Sequence, residues 1–223
     1  MQDAMKSAIK SRLFPGGKEP RTIRFGIAQG LTFLIDPAEK TQRLLGLDER
    51  ELSGALDLAI RSAGTFIDIG ASDGYYTIIA AARNHSAHVI GCEPGAGLGM
   101  DYDENLLLNG LDQEARMERR AQFVGTDHTT LDELTAGCRE PIVVKIDVEG
   151  GELDVLQSGP ETMSRNATFL IETHSLELER GCLNLLEEGG YTCQIIRPAW
   201  WRALVPEQRP TAHNQWLVAA RPS

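Results

Sequence analysis

Short runs of apolar residues alternate with helix-like stretches from Thr65 onwards, and this alternation constrains the fold more than any other feature of the chain. Strands covered by helices on both sides are apolar on both faces. Four runs fit that description, namely Thr65–Ile69, Ala87–Cys92, Ile142–Ile146 and Thr168–Ile171. Helix-like segments follow them at Tyr75–Arg83, Gly97–Leu108, Glu152–Gln157 and Leu176–Glu188. The pattern predicts an α/β fold, with a doubly wound, mostly parallel, Rossmann-like sheet and helices on both faces.

The two ends of the chain extend this core. Tyr191–Ile196 and Gln215–Ala220 are predicted strands without a crossover helix between them, so we expect them to be antiparallel. Met117–Phe123 is a further strand candidate. Residues 1–64 are predicted to form an appendage, in front of a domain that spans residues 65–223. The appendage is predicted to hold a helix over Met1–Leu13, a β-hairpin over Arg21–Asp36 around Gln29-Gly30, and a helix over Asp48–Ser62 with Asp48 as N-cap.

The overall composition excludes several classes of protein. Lys and Arg number 22 against 32 Asp and Glu, a formal charge of −10 over 223 residues. Nucleic acid is therefore not expected as a partner, because phosphate backbones need a dense basic surface. The four cysteines show no zinc-ligand spacing. No run approaches the roughly 20 apolar residues of a membrane span, so a cytoplasmic protein is expected, and a homo-oligomer is left open.

The loop after the first core strand is the first place to expect a ligand, because parallel sheets bind ligands beyond their carboxyl ends. It reads Gly70-Ala71-Ser72-Asp73-Gly74, and Asp68 ends the strand before it. A dinucleotide fingerprint has GxGxxG, whereas Ser72 stands here at the middle glycine and Asp73 would repel a pyrophosphate. An acidic glycine loop suits a cofactor that lacks phosphate and carries a positive centre, such as S-adenosylmethionine. The alternative is a tight strand–helix turn without a ligand.

The second core strand ends at Glu93-Pro94. Glu93 follows Gly70 by about 23 residues, the expected offset for a carboxylate that holds both hydroxyls of a ribose. Together the glycine loop and Glu93 predict a cofactor that contains adenosine.

With these motifs in place, the chain resembles the FkbM-like family of S-adenosylmethionine-dependent methyltransferases, over roughly Asp48 to Ala220. The segment 66–77, FIDIGASDGYYT, is similar to the family's cofactor loop, with Ser72 where asparagine is usual. Glu93-Pro94, the segment 105–111 and the segment 130–134, TLDEL, match further motifs in order. The segment 145–152, KIDVEGGE, resembles the family signature and is the most specific match.

The resemblance implies a class I methyltransferase fold that uses S-adenosylmethionine and releases S-adenosylhomocysteine. It implies O-methylation of a hydroxyl on a small molecule or a glycan. Asp127 is a candidate for the adenine contact. The cofactor-binding residues expected on this basis are Asp68, Gly70, Ala71, Ser72, Asp73, Gly74, Tyr76, Thr77, Glu93, Pro94, Asp127 and Asp147.

The acceptor end of the site is predicted from two crossover strands. Asp147 ends one of them beside the strand of Asp68, while Glu172 and His174 end the next. These three residues are the candidate catalytic group: they could orient a hydroxyl, accept its proton, or hold a divalent cation that lowers its pKa. His174 is the predicted base, and Glu172 either orients it or, if burial raises its pKa, takes the proton itself. In the alternative interpretation His174 caps a helix and Glu172 pairs with Lys145; a metal is left unknown.

Several residues have a plain structural interpretation beside the functional one. Glu152 is favoured as a carboxylate that merely starts a helix. Lys145 is either a buried ion-pair partner or a catalyst. Trp200-Trp201 could form an acceptor lid, but packing is the favoured interpretation. His213 could face the acceptor, and a turn residue explains it at least as well. Two other functions are considered for the whole chain: a nicotinamide-dependent oxidoreductase, and a methyltransferase-like binding module without catalysis.

Overall fold

The computed structural model describes residues 17–203 and 213–222 of the chain; the helix predicted over residues 1–13 lies outside them. The described strands are β1 (Glu19–Thr22), β2 (Thr32–Ile35), β3 (Thr65–Ile69), β4 (His88–Cys92), β5 (Met117–Arg120), β6 (Ile142–Ile146), β7 (Ala167–Thr173), β8 (Thr192–Ile196) and β9 (Gln215–Ala220). Seven of them form one sheet in the order β5-β4-β3-β6-β7-β9-β8. The first five in this order are parallel, and β9 runs antiparallel to both β7 and β8. The predicted sheet class and the antiparallel final pair are confirmed.

The described helices are α1 (Thr41–Leu44), α2 (Ser53–Ser62), α3 (Tyr75–Arg83), α4 (Ala96–Leu108), α5 (Leu131–Thr135), α6 (Glu152–Gln157), α7 (Pro160–Ser164) and α8 (Leu176–Glu188), followed by a 3₁₀ turn over Trp200–Ala203. They cover both faces of the sheet. Successive strand residues point to opposite faces, so Phe66 and Val143 join the core that contains α2 and α3. Their neighbours Ile67 and Val144 join the core that contains α6 and α8. This burial on both faces explains the unbroken apolar runs.

The predicted hairpin is confirmed, with a wider connection than a two-residue turn. β1 and β2 pair antiparallel with Thr22 opposite Thr32, and the residues between them form a loop. Asn105 of α4 and Asn109, the C-cap residue of α4, hold this hairpin against the helix. Asn105 Oδ1 accepts from Leu34 N at 2.7 Å, and Asn109 Oδ1 accepts from Thr32 N at 3.0 Å. The boundary at residue 64 stays a prediction, and the hairpin shares a hydrophobic core with the sheet.

The prediction that a helix starts at Asp48 is wrong. α2 begins at Ser53, its N-cap residue Leu52 makes no side-chain cap, and residues 48–52 form turns. The carboxylate of Asp48 accepts a hydrogen bond from Arg43 Nε at 3.0 Å, so it is not available as a cap. Glu49 takes a left-handed backbone with φ of 43°, which a continuing helix does not allow.

Candidate active site

A cavity of about 750 Å³ opens at the carboxyl edge of the parallel strands, where the sequence predicted a ligand site. It begins at the ends of β3 and β4 and reaches the loops after β5, β6 and β7. The residues that line it are Ile69, Gly70, Ser72, Cys92, Glu93, Pro94, Gln122, Phe123, Val124, His128, Asp147, Val148, Glu149, Gly151, Asp154 and His174. The sheet therefore brings the glycine loop, Glu93, Asp147 and His174 to one space.

The glycine loop is held tightly under this cavity. Gly70 has a φ of 77° and donates its N–H to Cys92 O at 3.0 Å. A Cβ at this position would lie 1.8 Å from Asp147 O, so only glycine allows the loop to approach the end of β6. Ala71 N also donates to Cys92 O. The backbone of Asp147 is thus the reason why this position requires glycine.

Glu93 is nearly buried and is oriented by two backbone donors. Its Oε2 accepts from Ser72 N at 3.0 Å, and its Oε1 accepts from Gly95 N at 2.7 Å. These bonds fix the carboxylate between the glycine loop and the start of α4. Glu93 and Pro94 both line the cavity, so the two motifs that predicted an adenosine cofactor do meet in space.

Asp68 lies beneath the loop and does not line the cavity. Its carboxylate is fully buried, with Oδ1 2.9 Å from Lys145 Nζ and Oδ2 accepting from Thr77 Oγ1 at 2.8 Å. Lys145 Nζ also donates to Gly70 O at 3.2 Å and lies 4.9 Å from the ring centre of Tyr76. Lys145 is therefore a buried ion-pair partner that ties β3 and β6 to the loop. Burial would lower the pKa of Lys145, but Asp68 and Asp147 outweigh it and raise that pKa above its usual range.

Asp73 points away from the cavity into a clamp formed by the preceding segment. Lys40 Nζ lies 2.7 Å from Asp73 Oδ2, and Arg43 Nη1 contacts both carboxylate oxygens at 3.0 and 2.7 Å. The guanidinium of Arg43 also stacks 4.2 Å from the ring centre of Tyr75. Burial would raise the pKa of Asp73, but the charges of Arg43 and Lys40 outweigh it and hold that pKa below its usual range. The sequence argument that Asp73 repels a pyrophosphate is wrong, because this charge is neutralised.

We expect the substitution Arg43→Met to lower the free energy of unfolding by about 3 kcal/mol, because it leaves Asp73 buried with Lys40 alone. Urea unfolding at neutral pH measures this loss. The matched control is Arg61→Met, which removes an exposed pair with Asp57 and should change stability little.

The loss of stability caused by Arg43→Met should also depend on pH, and the lowered pKa of Asp73 determines the direction of this dependence. A carboxylate whose pKa is lower in the folded than in the unfolded protein stabilises the fold at pH values above its unfolded pKa, which is about 3.9 for Asp. That stabilisation disappears as the pH falls through the pKa of Asp73 in the folded protein. The difference between wild type and Arg43→Met should therefore narrow below about pH 4. A loss no larger than that of Arg61→Met would contradict the clamp.

Asp147, Glu172 and His174 gather at the other end of the cavity, as the sequence predicted. His174 Nε2 lies 3.7 Å from Asp147 Oδ1, and one ligand atom from each of the three residues lies within 4.8 Å of the others. Glu172 is fully buried near the end of β7, and Asp147 and His174 line the cavity. Carboxylate oxygens and an imidazole nitrogen at this separation are able to hold a metal ion.

Glu152 has a role that sequence reasoning missed. It starts α6, as expected, but it is fully buried and its Oε1 is bonded to His174 Nδ1. That hydrogen bond is the largest influence on His174; burial opposes it, and the net effect is a pKa above the usual value. His174 does not cap α8, because Ser175 is the N-cap and accepts from Leu178 N at 3.1 Å. The orienting carboxylate seen on His174 Nδ1 is Glu152.

The remaining candidates lie apart from the cavity lining. Asp127 is exposed, whereas its neighbours Phe123, Val124 and His128 line the cavity, with the rings of Phe123 and His128 stacked 5.2 Å apart. Neither tryptophan of the 3₁₀ turn over Trp200–Ala203 belongs to the described lining. His213 Nε2 lies 3.3 Å from Glu179 Oε2 on α8, also outside the cavity lining.

No helix of the described ranges has the length and apolarity of a membrane span.

This sheet order, with a reversed β9 and a cavity at the carboxyl edge, is the fold of S-adenosylmethionine-dependent methyltransferases. A precorrin-6Y C5,15-methyltransferase from Geobacter metallireducens has a TM-score of 0.53 at 12% identity, over 78% of this chain and 89% of that chain. An rRNA methylase from Streptococcus thermophilus has a TM-score of 0.54 at 15% identity, over 78% and 98%. An O-methyltransferase from Bacillus cereus, in complex with S-adenosylhomocysteine, has a TM-score of 0.53 at 16% identity, over 75% and 79%. At these identities the likeness establishes the fold.

Residues 108–203 match the methyltransferase FkbM domain, so the resemblance seen in the sequence is confirmed over this part of the chain. The matched span holds the signature around Asp147, and the glycine loop and Glu93 precede it. The match supports the prediction of S-adenosylmethionine as cofactor. No curated protein sequence matches the chain.

Proposed function

We propose that this protein transfers a methyl group from S-adenosylmethionine to a hydroxyl of a small molecule or a sugar. The charge of the cavity carries the proposal. Its described lining contains four carboxylates, those of Glu93, Asp147, Glu149 and Asp154, and neither Lys nor Arg. A cofactor with a sulfonium and an ammonium group and no phosphate suits that lining. The pyrophosphate of a nicotinamide dinucleotide does not suit it, because the carboxylates of the cavity, and not the paired Asp73, would repel it.

The cofactor fits the end of the cavity that Glu93 defines. The carboxylate of Glu93 is held by Ser72 N and Gly95 N, which orients it to accept from ribose hydroxyls. The apolar wall at Phe123 and Val124 would receive the adenine. Gly70, Ala71, Ser72, Gly74 and Pro94 shape the loop around the cofactor. Asp68, Asp73, Tyr76 and Thr77 support that loop from beneath through the contacts described above.

The other end of the cavity would receive the acceptor. When bound, S-adenosylmethionine supplies an electrophilic methyl group on a positively charged sulfur. Methyl transfer in line then requires that the acceptor oxygen is aligned and that its proton is removed. We assign both tasks to Asp147, Glu172 and His174, with Glu152 holding the imidazole through Nδ1. An acceptor rich in phosphate, such as RNA, would be repelled by the same carboxylates, although some proteins of this fold are rRNA methylases.

The test is calorimetric titration of the purified chain with S-adenosylmethionine, S-adenosylhomocysteine and NAD. We expect both sulfur compounds to bind and NAD not to bind. Glu93→Ala should weaken S-adenosylhomocysteine by about 1–3 kcal/mol, because buried ribose hydroxyls lose a charged acceptor. The matched control is Asp127→Ala, whose carboxylate is exposed outside the lining and whose removal should leave the affinity unchanged.

Three outcomes would contradict the proposal. NAD binding without binding of either sulfur compound would favour the oxidoreductase. Unchanged affinity in a folded Glu93→Ala variant would place the ribose elsewhere. Cofactor binding without methyl transfer to any member of a panel of sugars, hydroxylated small molecules and RNA would favour a binding module.

A further inference from the structure

We propose that Asp147, Glu172 and His174 bind a divalent cation at the acceptor end of the cavity. The catalytic use of this cation rests on the proposed function, whereas its binding does not. Each of the three side chains offers one ligand atom, and these atoms lie within 4.8 Å of one another. A single ion between them would be coordinated by two carboxylates and one imidazole. Such a donor set suits the manganese and magnesium class of cations better than thiophilic metals.

The backbone already holds the three ligands together. Asp147 directly follows β6 and Glu172 lies near the end of β7, and these two strands are adjacent and parallel, with Ile146 opposite Ile171. His174 follows Glu172 by two residues, the spacing that returns a side chain to the same face of an extended segment. Little conformational entropy would therefore be lost when an ion is bound.

Glu152 provides an independent observation that points to a ligand. A histidine that binds a metal usually donates its other ring N–H to a carboxylate, which fixes the tautomer and raises the basicity of the ligating nitrogen. Glu152 Oε1 is bonded to His174 Nδ1, which leaves Nε2 on the side of Asp147. Glu152 is fully buried, and its second oxygen, Oε2, has no hydrogen-bond partner among the described residues. A cation nearby would stabilise this buried oxygen electrostatically.

The net negative charge around Asp147, Glu172 and His174 also favours a cation. The carboxylates of Asp68, Asp147 and Glu49 act on Lys145. Those of Glu152, Glu172 and Asp147 act on His174. Lys145 lies closest to Asp68, at 2.9 Å, and is 3.5 Å from Asp147. Burying more negative than positive charge is costly, and a divalent ion at the cluster would offset the excess.

The site is open on the side where an acceptor would approach. Asp147 and His174 line the cavity, so an ion held by them keeps coordination positions for a hydroxyl and for water. A bound cation would lower the pKa of that hydroxyl, whose proton would leave to solvent. The oxygen would then form a bond to the methyl carbon of the cofactor while the carbon–sulfur bond breaks, and the sulfur would keep the electron pair. His174 Nε2 is in this mechanism a cation ligand and not the proton acceptor.

The experiment is titration of the metal-free full chain with Mn²⁺, with free Mn²⁺ measured by electron paramagnetic resonance. We expect one saturable site per chain in the wild type. Glu172→Gln and His174→Ala should each weaken binding at least about tenfold, since each removes a ligand. The matched control is Asp127→Asn, which removes an exposed carboxylate outside the cavity lining and should leave Mn²⁺ affinity unchanged.

Circular dichroism establishes that each variant is folded, and Asp147→Asn replaces any variant that is not. No saturable binding, or equal affinity in wild type and both ligand variants, would overturn the cation site. Titration of the same samples with S-adenosylhomocysteine separates the two proposals. Cofactor binding without Mn²⁺ binding overturns only the cation site, whereas Mn²⁺ binding without cofactor binding overturns the proposed function.

Discussion

Replacement of Gly70 by valine should abolish binding of S-adenosylhomocysteine, with a loss of at least about 100-fold. The backbone of Gly70 has a φ of 77°, where a β-branched residue is strained by about 1–3 kcal/mol. A Cβ would in addition lie 1.8 Å from Asp147 O, a backbone atom that cannot rotate away. Either the glycine loop or the end of β6 must move. Both carry residues of the proposed site, so the two ends of the cavity would be lost together.

A matched control separates this collision from backbone strain. Gly110 has a similar φ of 67°, but a Cβ there meets no atom within 4 Å. Gly110→Val should therefore share the strain and leave S-adenosylhomocysteine affinity unchanged. Calorimetry measures binding in both variants, and circular dichroism checks that they are folded. A folded Gly70→Val protein that binds like the wild type would show that this loop is not the cofactor site.

Sequence patterns predicted the sheet because burial on both faces leaves a signal that is local in the chain. β3 and β6 are buried at every residue, and their predicted bounds are those observed. The ends of adjacent parallel strands then meet by necessity, which is why Asp147, Glu172 and His174 could be placed together from the sequence. The same argument placed Glu93 beside the glycine loop.

Contacts between distant segments left no such signal. Asp73 is neutralised by Arg43, and His174 is oriented by Glu152; neither pair shares a helix or a register. A charged residue in a sequence reveals its sign but not its partner, so Asp73 was wrongly treated as a free charge. Asp48 was misjudged because its partner was not recognised either, although Arg43 is only five residues away.

One missed element did have a local signal. α5 follows Thr130, whose side chain accepts from Glu133 N, while the carboxylate of Glu133 accepts from Thr130 N. Thr130 and Glu133 thus form a capping box, and a Thr followed three residues later by Glu is its sequence signature. The motif was recognised in TLDEL only as a family resemblance. Its physical meaning, the start of a helix, was available from the sequence.

The catalytic group should show its role as a loss of turnover without a loss of cofactor affinity. We expect His174→Ala or Glu172→Gln to slow methyl transfer at least about tenfold, and by roughly 10²–10⁴ if the residue itself takes the proton. S-adenosylhomocysteine should bind both variants normally, because Glu93 and the glycine loop lie at the other end of the cavity. The measurement is kcat with a responsive acceptor from the panel, beside calorimetry on the same samples.

His213→Ala is the matched control for this prediction. His213 is paired with Glu179 outside the described lining, so its removal should leave kcat unchanged.

A metal chelator, followed by addition of Mn²⁺ or Mg²⁺, distinguishes the two ways in which Asp147, Glu172 and His174 could act. If the cluster works through a cation, a chelator should slow the wild type as much as the substitutions do, and excess cation should partly restore Glu172→Gln, which keeps two ligands. If His174 takes the proton directly, the chelator should have no effect. Full activity in both variants would show that His174 and Glu172 take no part in the mechanism. A loss of kcat in His213→Ala larger than in His174→Ala or Glu172→Gln would indicate that the acceptor binds beside α8.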